Sequence, residues 1–365
     1  MTIDPAATVA ARLSQPVAPG DPAAGWRAVG RLYHAYFTGL ILTVASQRGA
    51  RDAGRWAERV FTLQHHRKFL SSFEKLALTG LSDAVACAQY HYLSNAIGGV
   101  EVEYMWENPR KAWIRFRHPR WIYAGAAICG VPIEVGHGFI HGWYGRNGVS
   151  LDNPRLGFVC TSQDVTQQYG FAGYFEEYDT PFGDRPRVRF APNEIAPPCD
   201  PAAAPRLDLD QWPTARLLKA NRNYAMDYLT SSYQALIDCF GVDEAIRLAR
   251  RNGQLIGRQF YPEVRGGLGV DSADRDGPDL DGFATFLAAF ASAAGDQVTV
   301  TRTGDNLTLR QEGWRLMRDG DTDRIAAGRM WDGLIAGFLA THDRFLSLRS
   351  EITDDAFTWR VTPAG

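Results

Sequence analysis

Between Trp121 and Gly148 an otherwise apolar stretch, WIYAGAAICGVPIEVGHGFIHGWYGRNG, carries three ionisable side chains at helical spacing: Glu134, His137 and His141. At about 100° per residue they fall within an arc of about 60° on one helix face. An imidazole beside a carboxylate can take up and return a proton, which is general acid–base chemistry. Glu134 and His137 are therefore the candidate catalytic pair, and Cys160, in FVCTS, is a candidate nucleophile. His137 and His141 also have the spacing of two metal ligands on one turn, which makes a divalent ion such as zinc a candidate cofactor. A rise of about 1.5 Å per residue sets Glu134 about 10 Å from His141, too far to share that ion. A third ligand would have to come from His91, His118 or the pair His65–His66. The alternative is that the histidines are satisfied by hydrogen bonds within an amphipathic helix, and the residue types alone leave these readings open.

Other residues could line such a site. Gly130 and Gly138 fall near the same face and would clear room beside it, while Pro132 should kink the helix or mark its restart. The first half of the chain is rich in aromatic residues. His91, Trp106, His118 and Tyr144 are the candidates for a substrate-binding wall, against the alternative that most are core. Cys129 and Cys160 can equally be packed core thiols. The basic run RKAWIRFRHPRW could recruit an anion such as a carboxylate, or form solvated strand faces. The chain has no phosphate-binding glycine loop and no GxSxG nucleophile elbow.

The elements that must position these residues recur along the chain. Tyr36, Thr38, Gly49, Ala53, Arg55 and Ala57 match Tyr228, Thr230, Gly241, Ala245, Arg247 and Ala249 at a constant offset. Gly49 and Gly241 stand where a left-handed helix C-cap is expected. Asp83 to Val102 returns as Asp281 to Val300, each a helix followed by an alternating strand. VEVEYMW turns through ENPRK into AWIRFR, and QVTVTRT turns through GDN into LTLRQ, which is hairpin grammar. Gly138 and Phe139 match Gly337 and Phe338, and Ser150 and Leu151 match Ser347 and Leu348. On that alignment Glu134, His137 and His141 correspond to Gly333, Ala336 and Ala340, so only the earlier copy carries ionisable groups there. Strands grouped apart from helices predict an α+β fold: two tandem copies of one helices-plus-antiparallel-sheet domain, forming a pseudo-dimer.

The expected organisation is a disordered lead over 1–25, a first copy over 26–178 with the candidate site, a Pro-rich linker over 179–214 packed along the surface, and a second copy over 215–365. Tyr261 to Leu280, rich in Gly and Asp, is expected to be a loop or lid. A net charge of -2 supplies no basic field for nucleic acid or an anionic membrane. The most apolar run is too short to span a bilayer. Five scattered cysteines without a CxxC pair favour reduced thiols in the cytoplasm. The expected partner is a small-molecule substrate, and a homo-oligomer is left open.

The segments FGVDEAIRLARRNGQLIG and MWDGLIAGFLATHDRFLSLRSEITDDAFTWRV carry a resemblance. Their order of helix, charged turn and closing strand resembles the superfamily of the four-vinyl-reductase and heme-nitric-oxide-binding folds. Within it the chain is most similar to L-2-amino-thiazoline-4-carboxylic acid hydrolase-like proteins. The resemblance implies a small-molecule pocket, and hydrolytic ring opening or a related lyase step as the chemistry. A non-enzymatic sensor or carrier is the alternative it allows. The Tyr-x-Ser-x-Arg run of the heme sensors does not occur, so heme is not expected.

Overall fold

A computed structural model describes residues 9, 11–18, 20–117, 120–166, 170–270, 279–318 and 322–364. The fold is α+β, and the chain divides into two compact units. One consists of Met1–Gln15 and Val44–Asn221, the other of Pro16–Thr43 and Arg222–Gly365. The division therefore passes through two long helices, α1 (Pro22–Arg48) and α5 (Thr214–Phe240), rather than between two contiguous halves. No helix among the described residues is long and apolar enough to cross a membrane.

The first unit contains α2 (Ala50–Lys68), α3 (Asp83–Ile97), the hairpin β1 (Val102–Asn108) and β2 (Lys111–Phe116), α4 (Ile133–Gly142), β3 (Leu156–Ser162) and β4 (Ala172–Glu177). A fifth strand, β5 (Val188–Phe190), completes a sheet of order β1-β2-β4-β3-β5. β5 lies in the stretch expected to be a surface linker. It pairs in parallel with β3, Phe190 opposite Cys160, and Ala191 donates its N–H to the Cys160 carbonyl at 2.8 Å. Beyond it, Ala196 and Cys199 pack against Met105, Trp113, Val159 and Tyr174. The linker thus adds a strand and covers the sheet face turned away from α3. β3 is consequently buried along nearly its whole length, as a strand covered on both faces should be.

The second unit contains α6 (Val242–Gly267), α7 (Leu280–Ala294), β6 (Gln297–Thr303), β7 (Asn306–Glu312), α8 (Arg324–His342), β8 (Leu346–Ile352) and β9 (Ala356–Pro363), with sheet order β6-β7-β9-β8. Here no linker covers the outer face among the described residues. Leu307, Leu309 and Gln311 of β7 are buried while Arg310 and Glu312 are exposed, the alternation of a sheet with one wet face. α8 starts at Asp323, whose carboxylate accepts the N–H groups of Ile325 (2.8 Å) and Ala326 (3.1 Å) and so satisfies two of the helix's free donors. α7 ends at Gly295 in the left-handed conformation.

Gly49 and Gly241 share one unusual geometry. Each donates its N–H to the end of the helix before it, at Ala45 and Ile237, and accepts from the first turn of the next, from Ala53 and Ala245. Their φ/ψ angles are 89°/168° and 80°/165°. The ψ values differ from the expected left-handed cap and belong to an extended region open essentially to glycine alone.

Glycines also set the closest helix contacts. A Cβ added at Gly142 would lie 2.4 Å from the Glu58 carbonyl oxygen, and one at Gly333 2.2 Å from that of Arg250. Backbone therefore packs on backbone between α2 and α4, and between α6 and α8. Glu58 and Arg250 each stand nine residues beyond the glycine that opens their helix. Gly142 thus corresponds to Gly333, and the sequence pairing of Gly138 with Gly337 is out of register. The positions matching Glu134, His137 and His141 are Ile325, Gly328 and Asp332, not Gly333, Ala336 and Ala340. Asp332 is buried and pairs with Arg250 at 3.2 Å. Ser150 and Leu151 also do not match Ser347 and Leu348: the former pair ends a helical turn, the latter lies in β8.

Three further expectations change. Val9 is buried with Ala96 and Leu217, and Leu13 packs beside them, so this part of the N-terminal lead belongs to the first unit's core. Residues 261–267 are the last turns of α6, with Pro262 inside the helix; the Gly- and Asp-rich part of the expected lid, 271–278, lies outside the described residues. The apolar run from Trp121 to Cys129 forms two 3-10 turns rather than helix, and Pro132 marks the restart, as the N-cap of α4.

Candidate functional site

Glu134, His137 and His141 share one half-buried face of α4. The opposite requirements of the helix explain why. Gly138 and Gly142 press against α2, where a Cβ at Gly138 would lie 2.3 Å from the Gly54 carbonyl oxygen. Gly138 therefore lets α2 approach and does not clear room for a ligand, as its spacing had suggested. Phe139 enters the aromatic core beside Phe61 and Tyr144. The polar stripe is what remains, and it is roofed by β5. The Phe190 ring centroid lies 4.9 Å from that of His137 and 6.2 Å from that of His141. Phe190 is 40% exposed, so this roof is open to solvent on one side. Burial, aided by His141, pushes the His137 imidazole below its ordinary range, and Glu134 partly opposes the shift. His137 is then neutral at neutral pH and has a lone pair to offer.

Among the described residues no three His, Cys, Asp or Glu side chains gather into a metal site. His137 and His141 thus gain no third ligand from His65, His66 or His91, and His118 lies outside the described residues.

Cys160 is buried on β3, its Sγ 3.4 Å from the Ser162 carbonyl oxygen, and burial pushes its thiol up to about 12. A thiol held neutral in the core is a poor nucleophile, which removes Cys160 from the catalytic set. Cys129 is exposed rather than core.

The structure does bring His91 and Tyr144 together, but inside the core. The His91 ring stacks against Tyr144 (4.2 Å) and Phe175 (5.4 Å), which also contact each other, and its Nε2 lies 3.1 Å from Asn147 Nδ2. Next to it His65 stacks on Phe69, with Nε2 2.9 Å from Ser150 Oγ. A serine hydroxyl on an imidazole is the geometry of an activated nucleophile. Burial, however, drives His65 down to about 3, and among the described residues its Nδ1 has no hydrogen-bond partner to orient the ring. So weak a base does little to activate a hydroxyl, and we read the His65–His91–Asn147–Ser150 cluster as core architecture. Trp106 is 56% exposed at the end of β1, away from these groups.

The basic run is neutralised from within. Arg115 and Arg117 pair with Glu103, Lys111 lies over the rings of Trp113 (5.0 Å) and Tyr174 (4.3 Å), and Arg120 pairs with Asp164 at 3.4 Å. The Arg120 guanidinium is boxed by Phe116, Tyr123, Phe139 and Phe171, its central carbon 4.9 to 5.4 Å from their centroids. These cations are structural partners and not an anion-recruiting surface.

Sequence reasoning missed Phe190, because a three-residue strand within a proline-rich segment leaves no periodic signal. It also missed a relay in the second unit. There Tyr261 Oη lies 2.5 Å from His342 Nδ1, while His342 Nε2 lies 2.8 Å from the Asp279 carbonyl oxygen. Asp279 also caps α7 through Gly282 N, so this chain ties α6, α8 and α7 together. Compared with known proteins, the chain matches no family model, no curated protein and no solved structure.

Proposed function

We propose that the chain is a small-molecule enzyme whose acid–base groups are Glu134 and His137 of the first unit. The observation that carries this reading is the single half-buried face of α4 that holds Glu134, His137 and His141, with Phe190 lying against the two imidazoles. The reaction class is hydrolytic ring opening, or a related lyase step, on a small heterocyclic or carboxylate-bearing substrate. That class comes from the likeness to L-2-amino-thiazoline-4-carboxylic acid hydrolase-like proteins. In this reading neutral His137 takes a proton from water as the oxygen attacks, and Glu134 stabilises the imidazolium that forms. No step passes through a metal or through Cys160.

The chain is further read as one α+β module duplicated. Support comes from the common strand order β1-β2-β4-β3 and β6-β7-β9-β8 and from the matched geometry of Gly49 and Gly241. Five free cysteines fit a reducing cytoplasm.

The test uses the full chain and L-2-amino-thiazoline-4-carboxylate as the first probe. Water adding to the carbon between sulfur and nitrogen, with cleavage of that C–S bond, releases a thiol that can be titrated. Glu134→Gln and His137→Ala should each lower turnover by about 10²- to 10⁴-fold with unchanged circular dichroism. A folded His137→Ala variant as active as the parent would end the proposal. Saturable binding of the probe without any thiol release would favour a carrier or sensor instead.

A further inference from the structure

We infer that the second unit carries a binding site of its own for a small organic carboxylate, in the cleft between the end of α7 and the β6–β7 hairpin. The cleft has a volume of about 300 Å³, and its lining includes Asp296, Gln297, Thr299, Arg310, Glu312 and Arg318. That is the lower end of the range of small-molecule sites. The inference stands on residues far in sequence from α4 and is independent of the function proposed above.

The lining is built for a planar anion of modest charge. Thr299 and Arg310 face each other across the β6–β7 ladder, as do Gln297 and Glu312, so four polar side chains share one patch of the wet sheet face. Arg310 pairs with Glu312 at 2.9 Å, which aims its guanidinium along the patch. Arg318 is exposed and bonds through its backbone N–H to the Arg315 carbonyl at 3.2 Å, while its guanidinium has no hydrogen bond or ion pair among the described residues and can fork onto a carboxylate. Glu312 and Asp296 add negative charge to the lining, which disfavours a dianion and suits an anion of net single charge such as a monocarboxylate.

Asp296 borders the cleft, its carboxylate turned to the buried side of the sheet, and is 7% exposed. Its Oδ1 accepts from the Arg315 backbone N–H at 2.6 Å and its Oδ2 from Gln311 Nε2 at 3.0 Å. Burial raises this carboxyl to about 6, against the pull of the Arg315, Arg318 and Arg222 cations. Tyr33 of α1 also faces it, a phenol that burial keeps protonated. Below pH 6 Asp296 is therefore neutral and no longer repels a carboxylate, so binding should tighten as pH falls through that value.

Isothermal titration of the full chain with L-lactate, L-glutamate and inorganic phosphate at pH 5.5 and pH 7.5 tests this. L-Lactate or L-glutamate, whose charge is constant over this range, should saturate with a Kd of about 1 mM or tighter at pH 5.5. It should weaken several-fold at pH 7.5. Arg318→Gln should lose about tenfold in affinity, while His137→Ala binds as the parent does, which separates this site from the one on α4. Failure of both carboxylates to saturate, an Arg318→Gln variant that binds unchanged, or phosphate, a dianion at pH 7.5, binding there as tightly as either carboxylate would overturn the inference. Asp296→Asn should bind equally at the two pH values; a retained pH dependence would remove Asp296 from the account of the site.

Discussion

Lowering the pH from 7 to 5 should cost the first unit much of its stability through two histidines. Burial holds His65 at about 3 and His91 well below its ordinary range. Both are at most 2% exposed. In the unfolded chain each imidazole takes up a proton near pH 6.5, while in the folded chain it stays neutral. The stability that neutrality contributes is complete above pH 6.5 and is lost as pH falls from there toward 3. Each group contributes a slope of about 1.4 kcal/mol per pH unit once the unfolded form is charged. Summed for both between pH 7 and pH 5, the loss is about 4 kcal/mol, a large part of an ordinary domain's stability. In the second unit His34, also pushed down to about 3, acts in the same direction. Asp296, raised to about 6, acts in the opposite one, because its folded form holds a proton that the unfolded form releases. Those two nearly cancel. Guanidinium chloride unfolding at pH 7, 6 and 5, followed by tryptophan fluorescence, measures the slope directly. His65→Gln, which cannot charge, should remove about half of the loss. A parent stability flat to within about 1 kcal/mol over this range would refute the neutral-core assignment and with it the reading of His65 and His91 as architecture.

Further outcomes follow from the glycines. Gly142→Ala and Gly333→Ala each drive a Cβ into a carbonyl oxygen of the neighbouring helix, and each should cost about 3 kcal/mol or more in thermal unfolding. Gly49→Ala and Gly241→Ala meet nothing within 4 Å, so their cost is backbone strain alone, about 1–3 kcal/mol. Equal melting temperatures for parent and Gly49→Ala would show that this geometry is not required.

Much of the architecture was legible because it rests on local signals. The two hairpins follow from alternation around ENPRK and GDN, and β1–β2 and β6–β7 stand there. The α4 face followed from helical spacing, and the three ionisable groups do share it. What failed was register. A constant offset holds from Tyr36 and Tyr228 to the glycines that open α2 and α6. It slips across loops of different length, which moved the presumed counterpart of Gly142 and gave the second unit an empty stripe where Asp332 in fact pairs with Arg250. The stretch from Trp121 to Cys129 is apolar enough to read as helix, yet Gly125 takes a positive φ of 57° and breaks it into 3-10 turns. His91 and Cys160 illustrate the commonest error, reading reactivity from residue type. Burial decides whether such a group can charge, and burial is a property of the packed core rather than of local spacing.

The central claim is that Glu134, His137 and His141 act on one another across a single face of α4. Proton-detected NMR titration of the histidine rings in the parent, Glu134→Gln and His141→Gln proteins tests it most directly. The parent His137 should titrate below an ordinary histidine, Glu134→Gln should move it lower still, and His141→Gln should move it back up. A His137 that titrates as a solvated imidazole and ignores both substitutions would contradict the account.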